Sequence, residues 1–394
     1  MQPRMRKIPV LFLLAGLLCG VPASAQNNEA AGGTQEIFHL GVGARALGLG
    51  SAVVAMPLDA STVYWNPGGL DYLERRSVTM FYTPLMMISD TKYHYIGAAY
   101  PFLDAGTVGA GWLHWDIPDV ETRDTWGDPT GNFVSGEDAF LVSYARQVRY
   151  GMSLGGTVKF RRQQFAGNTA RGFTGDIGVL YRPEFSEGVL QNLSFGLAVQ
   201  NVIPLRMRAG NVTETIPYTL RGGLAKALRF GPRQDVVNVF AAFEKGQGDA
   251  MRYNLGSEYV YQELAMLRMG YNGKQPIFGG GVSYQMFQID YAFGKYADEE
   301  GILGAQHRVS ITMHFGKTKT QMYEEAQNQL FRQIEAETRK QASLNRRSEF
   351  EEKVNKGKAY FQQGDYFNAF LNFNQARDLA AGAYDTFEQP EKAD

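Results

Sequence analysis

Cysteine is nearly absent from this sequence, which has one in 394 residues. A single cysteine excludes an internal disulfide framework and a zinc site built from thiolates. No segment approaches 18 consecutive apolar residues, so the sequence predicts no membrane-spanning helix. A charge excess is also lacking, since 39 basic residues stand against 40 acidic ones. The formal charge of -1 argues against electrostatic capture of nucleic acid or anionic lipid.

Glycine and aromatic residues are abundant instead. The chain has 45 glycines, 21 tyrosines and 25 phenylalanines. This combination favours short strands joined by tight turns over a helical enzyme core. The composition changes near residue 317, because residues 318–394 are rich in charge and contain only three glycines. The sequence therefore predicts two physically different parts.

Residues 1–25 have the pattern of a secretory signal peptide. A basic start precedes the apolar run Val10–Leu18, and Ala23-Ser24-Ala25 provides the small residues of a cleavage site. Cleavage would also remove Cys19 and leave a mature chain without cysteine. An exported chain without a membrane-spanning helix is either soluble or a closed outer-membrane β-barrel, since only helices and barrels satisfy their backbone polar groups in lipid.

Alternation of apolar and polar residues predicts many short strands. In residues 152–161, the apolar side chains of Met152, Leu154, Val158 and Phe160 alternate with Ser153, Thr157, Lys159 and Arg161. A strand that is apolar on one face and charged on the other suits a barrel with lipid outside and water inside. About fourteen segments qualify: 76–83, 92–100, 106–115, 137–147, 151–162, 172–182, 192–201, 219–229, 235–244, 251–261, 264–271, 277–285, 287–294 and 306–315.

The connections between these segments alternate in length. Odd-to-even connections are the longer ones, and they include 84–91, 116–136, 163–171, 202–218 and 295–305. Even-to-odd connections are short, apart from 183–191. Bacterial outer-membrane barrels combine short periplasmic turns with longer outer loops. We therefore expect an all-β transmembrane barrel of about 14 antiparallel strands in a Gram-negative outer membrane, over residues 76–316. A soluble periplasmic β-sandwich, the alternative, has no reason to sort its loops in this way.

The last predicted strand alternates strictly and ends in an aromatic residue. Its apolar face carries Val309, Ile311, Met313 and Phe315. This pattern resembles the insertion signal that is read by the barrel-assembly machinery, although here it is internal to the chain.

Charged residues on the polar faces are expected in the barrel interior. They are Lys159, Arg161, Asp176, Arg221, Arg252, Glu258, Asp290 and Arg308. We interpret them as a solvated, mutually paired lining that holds a plug, and the alternative is an ion or substrate path.

Apolar residues in the predicted outer loops are candidates for binding. They are Leu85, Met86, Met87, Ile88, Trp126, Ile203, Leu205 and Met207. Exposed apolar patches usually mark contacts, and methionine-rich ones tolerate varied partners. The sharper hypothesis is a rim for protein cargo or a hydrophobic ligand, and the alternative is that the loops pack on one another over the barrel mouth.

The sequence of the C-terminal part predicts a short α-helical appendage. We expect it in the periplasm, because the chain should enter the first barrel strand and leave the last one on that side. A linker (317–349) contains a helix from Gln321 to about Leu344, and residues 383–394 are expected to be disordered. Between them, residues 350–382 resemble one tetratricopeptide repeat. The residues that carry this resemblance are Tyr360, Tyr366, Ala369, Phe373 and Ala376, with Gly357 and Gly364. A single repeat cannot bury a long core, so we expect it to pack on the preceding helix, on the barrel or on a partner.

The segment before the first strand, residues 26–75, carries two motifs. The first is Gly41-Val42-Gly43-Ala44-Arg45-Ala46-Leu47-Gly48, and the second runs from Asp59 to Leu70 and contains Trp65-Asn66-Pro67-Gly68. This order resembles the PorV/PorQ family and is similar to the start of the wider FadL-type outer-membrane transporters. The FadL-type motif favours Asn-Pro-Ala-Gly, so Gly68 is a departure from it.

The resemblance covers about residues 26–316 and implies a barrel with its N-terminal segment folded inward as a plug. We expect Asp59, Trp65, Asn66, Pro67 and Gly68 to anchor this plug. PorV-type members act with type IX secretion and deliver exported cargo to the cell surface, which implies a secretion translocon or cargo proteins as partners. FadL-type members admit hydrophobic small molecules through a lateral opening. An envelope scaffold with a docking tail is a third alternative.

No group of residues indicates catalysis. The run Gly151-Met152-Ser153-Leu154-Gly155 matches a nucleophile elbow, but an alternating strand follows it where that chemistry needs a helix. The five histidines lack the spacing of metal ligands. We therefore predict a non-enzymatic protein without cofactor or metal, with outer-membrane lipid and no nucleic acid among its partners.

Overall fold

The computed structural model describes residues 40–85, 91–165, 167–183, 191–203, 205–209, 212–230, 235–247, 250–295 and 304–387. The predicted signal peptide lies outside these residues. The chain divides into two compact units, Met1–Thr318 and Lys319–Asp394. None of the helices in the described ranges is both long enough and apolar enough to cross a membrane.

Fourteen strands of the first unit form one closed antiparallel barrel, as the sequence predicts. The ring closes where β1 (Arg76–Pro84) pairs with β16 (Ala305–Phe315). The others are β2 (Lys92–Pro101), β3 (Thr107–Arg123), β4 (Pro129–Arg149), β5 (Met152–Phe165), β6 (Asn168–Tyr181), β7 (Leu193–Gln200), β10 (Thr219–Phe230), β11 (Asp235–Gly246), β12 (Arg252–Tyr261), β13 (Ala265–Tyr271), β14 (Pro276–Tyr284) and β15 (Phe287–Lys295). A separate hairpin, β8 (Leu205–Ala209) and β9 (Val212–Ile216), lies between β7 and β10.

Side chains alternate across the barrel wall because successive residues of a strand point to opposite faces. On β5, Ser153 and Thr157 are buried inside while Leu154 and Val158 are exposed outside. On β16, the outward face carries Val309, Ile311, Met313 and Phe315, the residues of the predicted insertion signal. Closure of the ring leaves no sheet edge unpaired at β1 or β16.

Two predicted outer loops are wrong in extent. The predicted loop 116–136 is mostly strand, since only 124–128 separate β3 from β4. In the predicted loop 163–171, β5 continues to Phe165 and β6 begins at Asn168. The first residues of β4 are exposed on both faces, so the alternation that identifies strands fades there. The odd-to-even connections mark one end of the barrel, here named the loop end, and the opposite end is the turn end.

The N-terminal segment lies inside the barrel as a plug. It contains α1 (Ala44–Gly48), α2 (Thr62–Trp65) and a 3-10 helix (Pro67–Tyr72). Most of its side chains are buried, and Leu49, Val63 and Leu70 belong to the hydrophobic core of the unit. The predicted inward fold of this segment is therefore observed.

The second unit is an antiparallel hairpin of α3 (Lys319–Gln362) and α4 (Tyr366–Phe387). The predicted helix end near Leu344 is wrong, because α3 continues through the predicted linker and the first half of the predicted hairpin. Neither glycine nor proline occurs between 317 and 356 to interrupt it. Residues 383–387, predicted to be disordered, are the end of α4.

Small residues form the helix crossing of this hairpin. A Cβ at Gly357 would lie 2.8 Å from Cε1 of Phe373, and Ala369 and Ala376 are buried. Tyr360 is partly exposed and Tyr366 is mostly exposed. The two helices therefore meet where the sequence predicts, whereas membership of the tetratricopeptide repeats stays a prediction.

Candidate functional site: the plug and the β6–β7 seam

The plug rests on glycines of the inner barrel wall. A Cβ at Gly196 would lie 2.1 Å from the carbonyl oxygen of Val54, and one at Gly178 would lie 2.1 Å from Oδ1 of Asn66. The plug approaches Gly109, Gly155, Gly256 and Gly270 in the same way. The glycine content of the sequence predicts tight turns, and only the position of the plug reveals this second role.

Asn66 joins two plug segments to the barrel wall. Its Nδ2 donates to the carbonyl oxygen of Val54 at 2.7 Å and to that of Val179 on β6 at 3.1 Å. Its Oδ1 accepts from the backbone N–H of Gly68 at 3.0 Å. This buried amide therefore uses both ends of its side chain and tolerates no smaller replacement without loss of bonds.

The other predicted plug residues lie around Asn66 and are buried. Trp65 donates from Nε1 to the carbonyl oxygen of Val42 at 2.9 Å. Pro67 begins the 3-10 helix, where its missing N–H costs nothing. The carboxylate of Asp59 accepts from the backbone N–H of Ser61 at 2.7 Å. These bonds stabilise the turns of the plug, and a ligand-binding role for these residues stays a prediction.

The ladder between β6 and β7 is the shortest among the barrel strands. It pairs only Ile177–Tyr181 with Val199–Phe195, although β6 extends to Asn168 toward the loop end. Asn201 has a φ of 53°, and this left-handed backbone ends β7. The chain then forms β8 and β9 before β10 begins, and β8 packs beside β6 without joining the barrel ladder. The wall between the loop-end half of β6 and this excursion is here named the β6–β7 seam.

Between the residues that are described on the two sides of the seam, isolated bonds occur in place of a ladder. The backbone N–H of Val202 donates to the carbonyl oxygen of Gly175 at 2.8 Å, and Oγ1 of Thr174 donates to the carbonyl oxygen of Ile203 at 2.7 Å. The backbone N–H of Asn201 donates to Oδ1 of Asp176 at 2.9 Å. Opening the wall at these isolated bonds breaks fewer hydrogen bonds than opening it along a continuous ladder.

The plug contacts the barrel directly beside the seam. Asn66 bonds to Val179 on β6, and Nε2 of Gln200, the last residue of β7, donates to the carbonyl oxygen of Tyr64 at 2.6 Å. Movement of residues 64–68 would therefore act on both strands that border the seam.

All eight predicted lumen charges point into the barrel, mostly as ion pairs. Nζ of Lys159 lies 2.8 Å from Oδ2 of Asp176, and Nε of Arg221 lies 2.9 Å from Oε2 of Glu244. Arg161 pairs with Glu137, Arg252 pairs with Glu244, and Nη2 of Arg308 donates to the carbonyl oxygen of Gly294. The partners Glu137 and Glu244 are not among the predicted lumen charges, although alternation within β4 and β11 turns both of them inward.

A four-charge network fixes α1 to the far side of the barrel. Arg45 of the plug contacts Glu258 through two bonds of 2.8 and 2.9 Å. Nε of Arg268 lies 2.7 Å from Oε1 of Glu258, and Nη1 of Arg268 lies 2.8 Å from Oδ1 of Asp290. Two positive and two negative charges therefore balance in a buried site, and the plug supplies one of the cations.

The inner wall of β1 to β3 is apolar toward the loop end. Phe81, Tyr93, Leu113 and Trp115 are buried there, and Leu85 follows β1. The rings of Phe81 and Tyr93 pack edge to face with centroids 5.9 Å apart. This apolar inner patch corrects the prediction that Leu85 belongs to an exposed rim, since only 1% of Leu85 is exposed.

The other predicted rim residues are scattered. Trp126 and Ile203 are largely exposed. Leu205 and Met207 lie on β8, and the structure does not describe their side chains; Met86, Met87 and Ile88 lie outside the described residues. Within the part of the chain that is described, no three histidine, cysteine or carboxylate residues cluster as metal ligands would.

Comparisons with known proteins inform the fold. Neither a family model nor a curated protein matches the sequence. The toluene transporter TbuX of Ralstonia pickettii aligns over 70% of this chain and 99% of its own, with 14% identity and a TM-score of 0.50. The alignment with the toluene transporter TodX of Pseudomonas putida covers 69% of this chain and 96% of TodX, with 13% identity and a TM-score of 0.45. The alignment with a Pseudomonas aeruginosa FadL homologue covers 67% of this chain and 96% of that protein, with 10% identity and a TM-score of 0.41. The likeness to TbuX shows a shared barrel fold.

Proposed function

We propose that the chain is a non-enzymatic outer-membrane channel that admits hydrophobic small molecules and releases them sideways through the β6–β7 seam. The observation that carries this proposal is the five-pair ladder of β6 and β7, next to a hairpin excursion that replaces the missing pairs. A barrel wall that is bonded by isolated contacts provides an exit into lipid, which suits a hydrophobic solute.

The apolar inner patch supports the choice of solute. Water-filled barrels have polar interiors, whereas Phe81, Leu113 and Trp115 line this barrel with apolar surface toward its loop end. Ligand sites for hydrophobic molecules are lined in this way. TbuX, which shares the fold, bears the name of a toluene transporter.

The plug supports a gating role for the Trp65-Asn66-Pro67-Gly68 motif. Asn66 holds Val54 and Val179 at once, and Gln200 holds Tyr64. Release of these contacts frees β6 and β7 together. We place the loop end outside the cell and the second unit in the periplasm, because short turns face the periplasm in bacterial barrels.

Reversible cross-linking of the seam tests this proposal. The mature chain has no cysteine if the predicted signal peptide is removed, so Thr174→Cys/Ile203→Cys introduces the only thiols, at two residues that are bonded across the seam. A short bis-methanethiosulfonate reagent should join the two sides and reduce the uptake of radiolabelled toluene or oleate by cells that express the protein. A thiol reductant should restore it.

The matched control is Val142→Cys/Val158→Cys. These residues are paired on the outward faces of β4 and β5, within a continuous ladder, so the same reagent should leave uptake unchanged. Equal uptake before and after cross-linking of the seam would contradict a lateral exit there.

Protein export of the PorV/PorQ type is a second candidate function. The second unit favours it, because Phe361, Phe367 and Phe370 are exposed on the helical hairpin and a diffusion channel needs no such surface. Gentle solubilisation of the outer membrane, followed by mass spectrometry of co-purified proteins and lipids, separates the candidates. Secretion components or exported proteins that share a C-terminal domain would favour export; a solitary barrel with a bound fatty or aromatic molecule would favour transport.

A further inference from the structure

Two rows of side chains cross the outward face of β1 to β6 near the loop end. The cross-strand register aligns one residue from each strand in each row. The row nearer the middle of the barrel, here named the aromatic row, consists of Met80, Ile96, Trp112, Phe140, Phe160 and Phe173. The next row toward the loop end, here named the polar row, consists of Tyr82, His94, His114, Asp138, Arg162 and Arg171.

The aromatic row has the character of a membrane interface. Ring centroids of Trp112 and Phe140 are 6.5 Å apart, those of Phe140 and Phe160 are 6.4 Å apart, and those of Phe160 and Phe173 are 4.9 Å apart. Phe173 is 68% exposed. Aromatic belts of this kind lie at the level of lipid headgroups. The polar row, two residues closer to the loop end, therefore lies among the headgroups.

Arg162 and Arg171 face each other directly across β5 and β6. Like charges that are directly opposite destabilise a sheet. Both side chains are exposed, and among the described residues neither forms an ion pair or a hydrogen bond through its guanidinium. The acid next to Arg162 in the row is Asp138, and its Oδ1 is bonded to Nδ1 of His114 at 2.9 Å and to Nε1 of Trp112 at 3.0 Å.

We propose that Arg162 and Arg171 bind the phosphate of a membrane lipid whose acyl chains lie along the aromatic row. An anion between the two guanidinium groups removes their repulsion, and the planar fork of arginine matches phosphate oxygens in a bidentate manner. Phe160 and Phe173, directly below the pair, offer an apolar surface to the chains. The net charge of -1 for the whole chain conceals this local pair of cations.

The leaflet determines the lipid. The proposal rests on the outer-membrane placement given above, with the loop end outside, and it does not depend on transport. In that leaflet the phosphate-bearing lipid is a phosphorylated glycolipid of the lipid A type. Free phosphate shares the charge but lacks the chains, so the two sources can be distinguished.

Titration of the full-length protein in detergent with fluorescent, doubly phosphorylated lipid A tests the site. Arg162→Gln or Arg171→Gln should each weaken binding about tenfold, since a hydrogen bond to a charged group contributes on that scale. The control is Arg146→Gln, because Arg146 is exposed on the outward face of β4 near the turn end. It should bind lipid A as the unchanged protein does. The shift of the folded barrel on unheated gels verifies that each variant is folded.

Two further measurements define the ligand. Phe173→Ala should weaken lipid A binding while the arginines remain, and inorganic phosphate should displace lipid A only at far higher concentration than lipid A itself. Unchanged binding in Arg162→Gln/Arg171→Gln, an equal loss in Arg146→Gln, or equal binding of lipid A that lacks phosphate would overturn the proposal. Displacement by inorganic phosphate at lipid concentrations would also overturn it, since the aromatic row would then contribute nothing. Uptake of toluene is measured in parallel, so that loss of the lipid site and loss of transport are observed separately.

Discussion

At the scale of single residues, close approach and charge balance hold the plug in place. Gly178 and Gly196 permit backbone contacts that any Cβ would prevent, and Asn66 ties the plug to β6. Arg45 provides the charge that Glu258 and Asp290 need beyond Arg268. A buried charge is tolerated only when it is paired, so the position of the plug and the charges of the wall depend on each other.

Removal of Arg45 should destabilise the folded protein. In Arg45→Met, two buried carboxylates face one guanidinium, and loss of one partner of a buried pair costs about 3 kcal/mol or more. The free energy of unfolding in urea, measured for protein refolded in lipid vesicles, checks this.

A second substitution tests the physical cause. Arg45→Met/Glu258→Gln restores charge balance, because Arg268 and Asp290 remain paired, and it should recover part of the lost stability. If the double variant were as unstable as the sum of the single changes, packing of Arg45 rather than charge would be responsible.

At the scale of elements, the length of each ladder distinguishes the barrel's regions. The hairpin of β3 and β4 and that of β5 and β6 continue toward the loop end beyond their neighbours, whereas β6 and β7 part after five pairs. In the second unit, α3 ends at Gln362, two residues before Gly364 with its φ of 79°, and Asp365 caps the start of α4. The early parting of β6 and β7 and the boundary between α3 and α4 both occur at single residues that end or begin an element.

The start of α4 should weaken in acid. Hydrogen bonds from the side chain and backbone of Asn368 hold the pKa of Asp365 below its ordinary value of 3.8. A carboxyl group whose pKa is lower in the folded state than in the unfolded state stabilises the folded state at pH values above its unfolded pKa. This contribution is lost as the pH falls through the pKa of the folded state. Hydrogen exchange of the first turn of α4, corrected for intrinsic rates, should therefore rise below pH 4.

Asp365→Asn provides the matched control. Asparagine caps a helix as well as aspartate does but does not titrate, so its corrected exchange should be independent of pH. An identical acid response in both proteins would show that another group is responsible.

At the scale of the whole molecule, a closed wall separates the interior from the outward face, and the proposed membrane placement puts the four tryptophans in three environments. Trp112 lies on the outward aromatic row, Trp65 and Trp115 are buried inside, and Trp126 is 89% exposed in the turn between β3 and β4. The interior is apolar on β1 to β3 toward the loop end, whereas its paired charges lie on β4 to β6 and on strands from β10 to β16. The proposed passage of a hydrophobic solute would use the apolar side of this interior.

Fluorescence quenching should resolve these three environments. In vesicles, brominated lipid should quench a component that Trp112→Phe removes, and aqueous iodide should quench a component that Trp126→Phe removes. The emission of Trp65 and Trp115 should respond to neither. Loss of the bromine-sensitive component in Trp126→Phe would contradict the orientation of β3 and β4 in the membrane.

Local pattern determined the strands, because the alternation of side chains is a property of neighbouring residues within one strand. Segments such as 219–229 and 306–315 correspond closely to β10 and β16, and the lumen residues follow from the same alternation. The pattern fails where both faces meet water, as in the first residues of β4, and it does not detect β8 and β9.

The sequence by itself therefore determined a fourteen-stranded barrel, its inward charges, a plug segment and a helical appendage. Only the tertiary structure decided that Arg45 meets Glu258, that glycines accept the plug, that β6 and β7 part early, and that Arg162 faces Arg171. The physical reason is that these relations depend on register and on closure of the ring, which bring together residues as distant in the chain as 45 and 258. Alternation specifies the face of a strand on which a residue lies, but it does not specify the residue that it meets there.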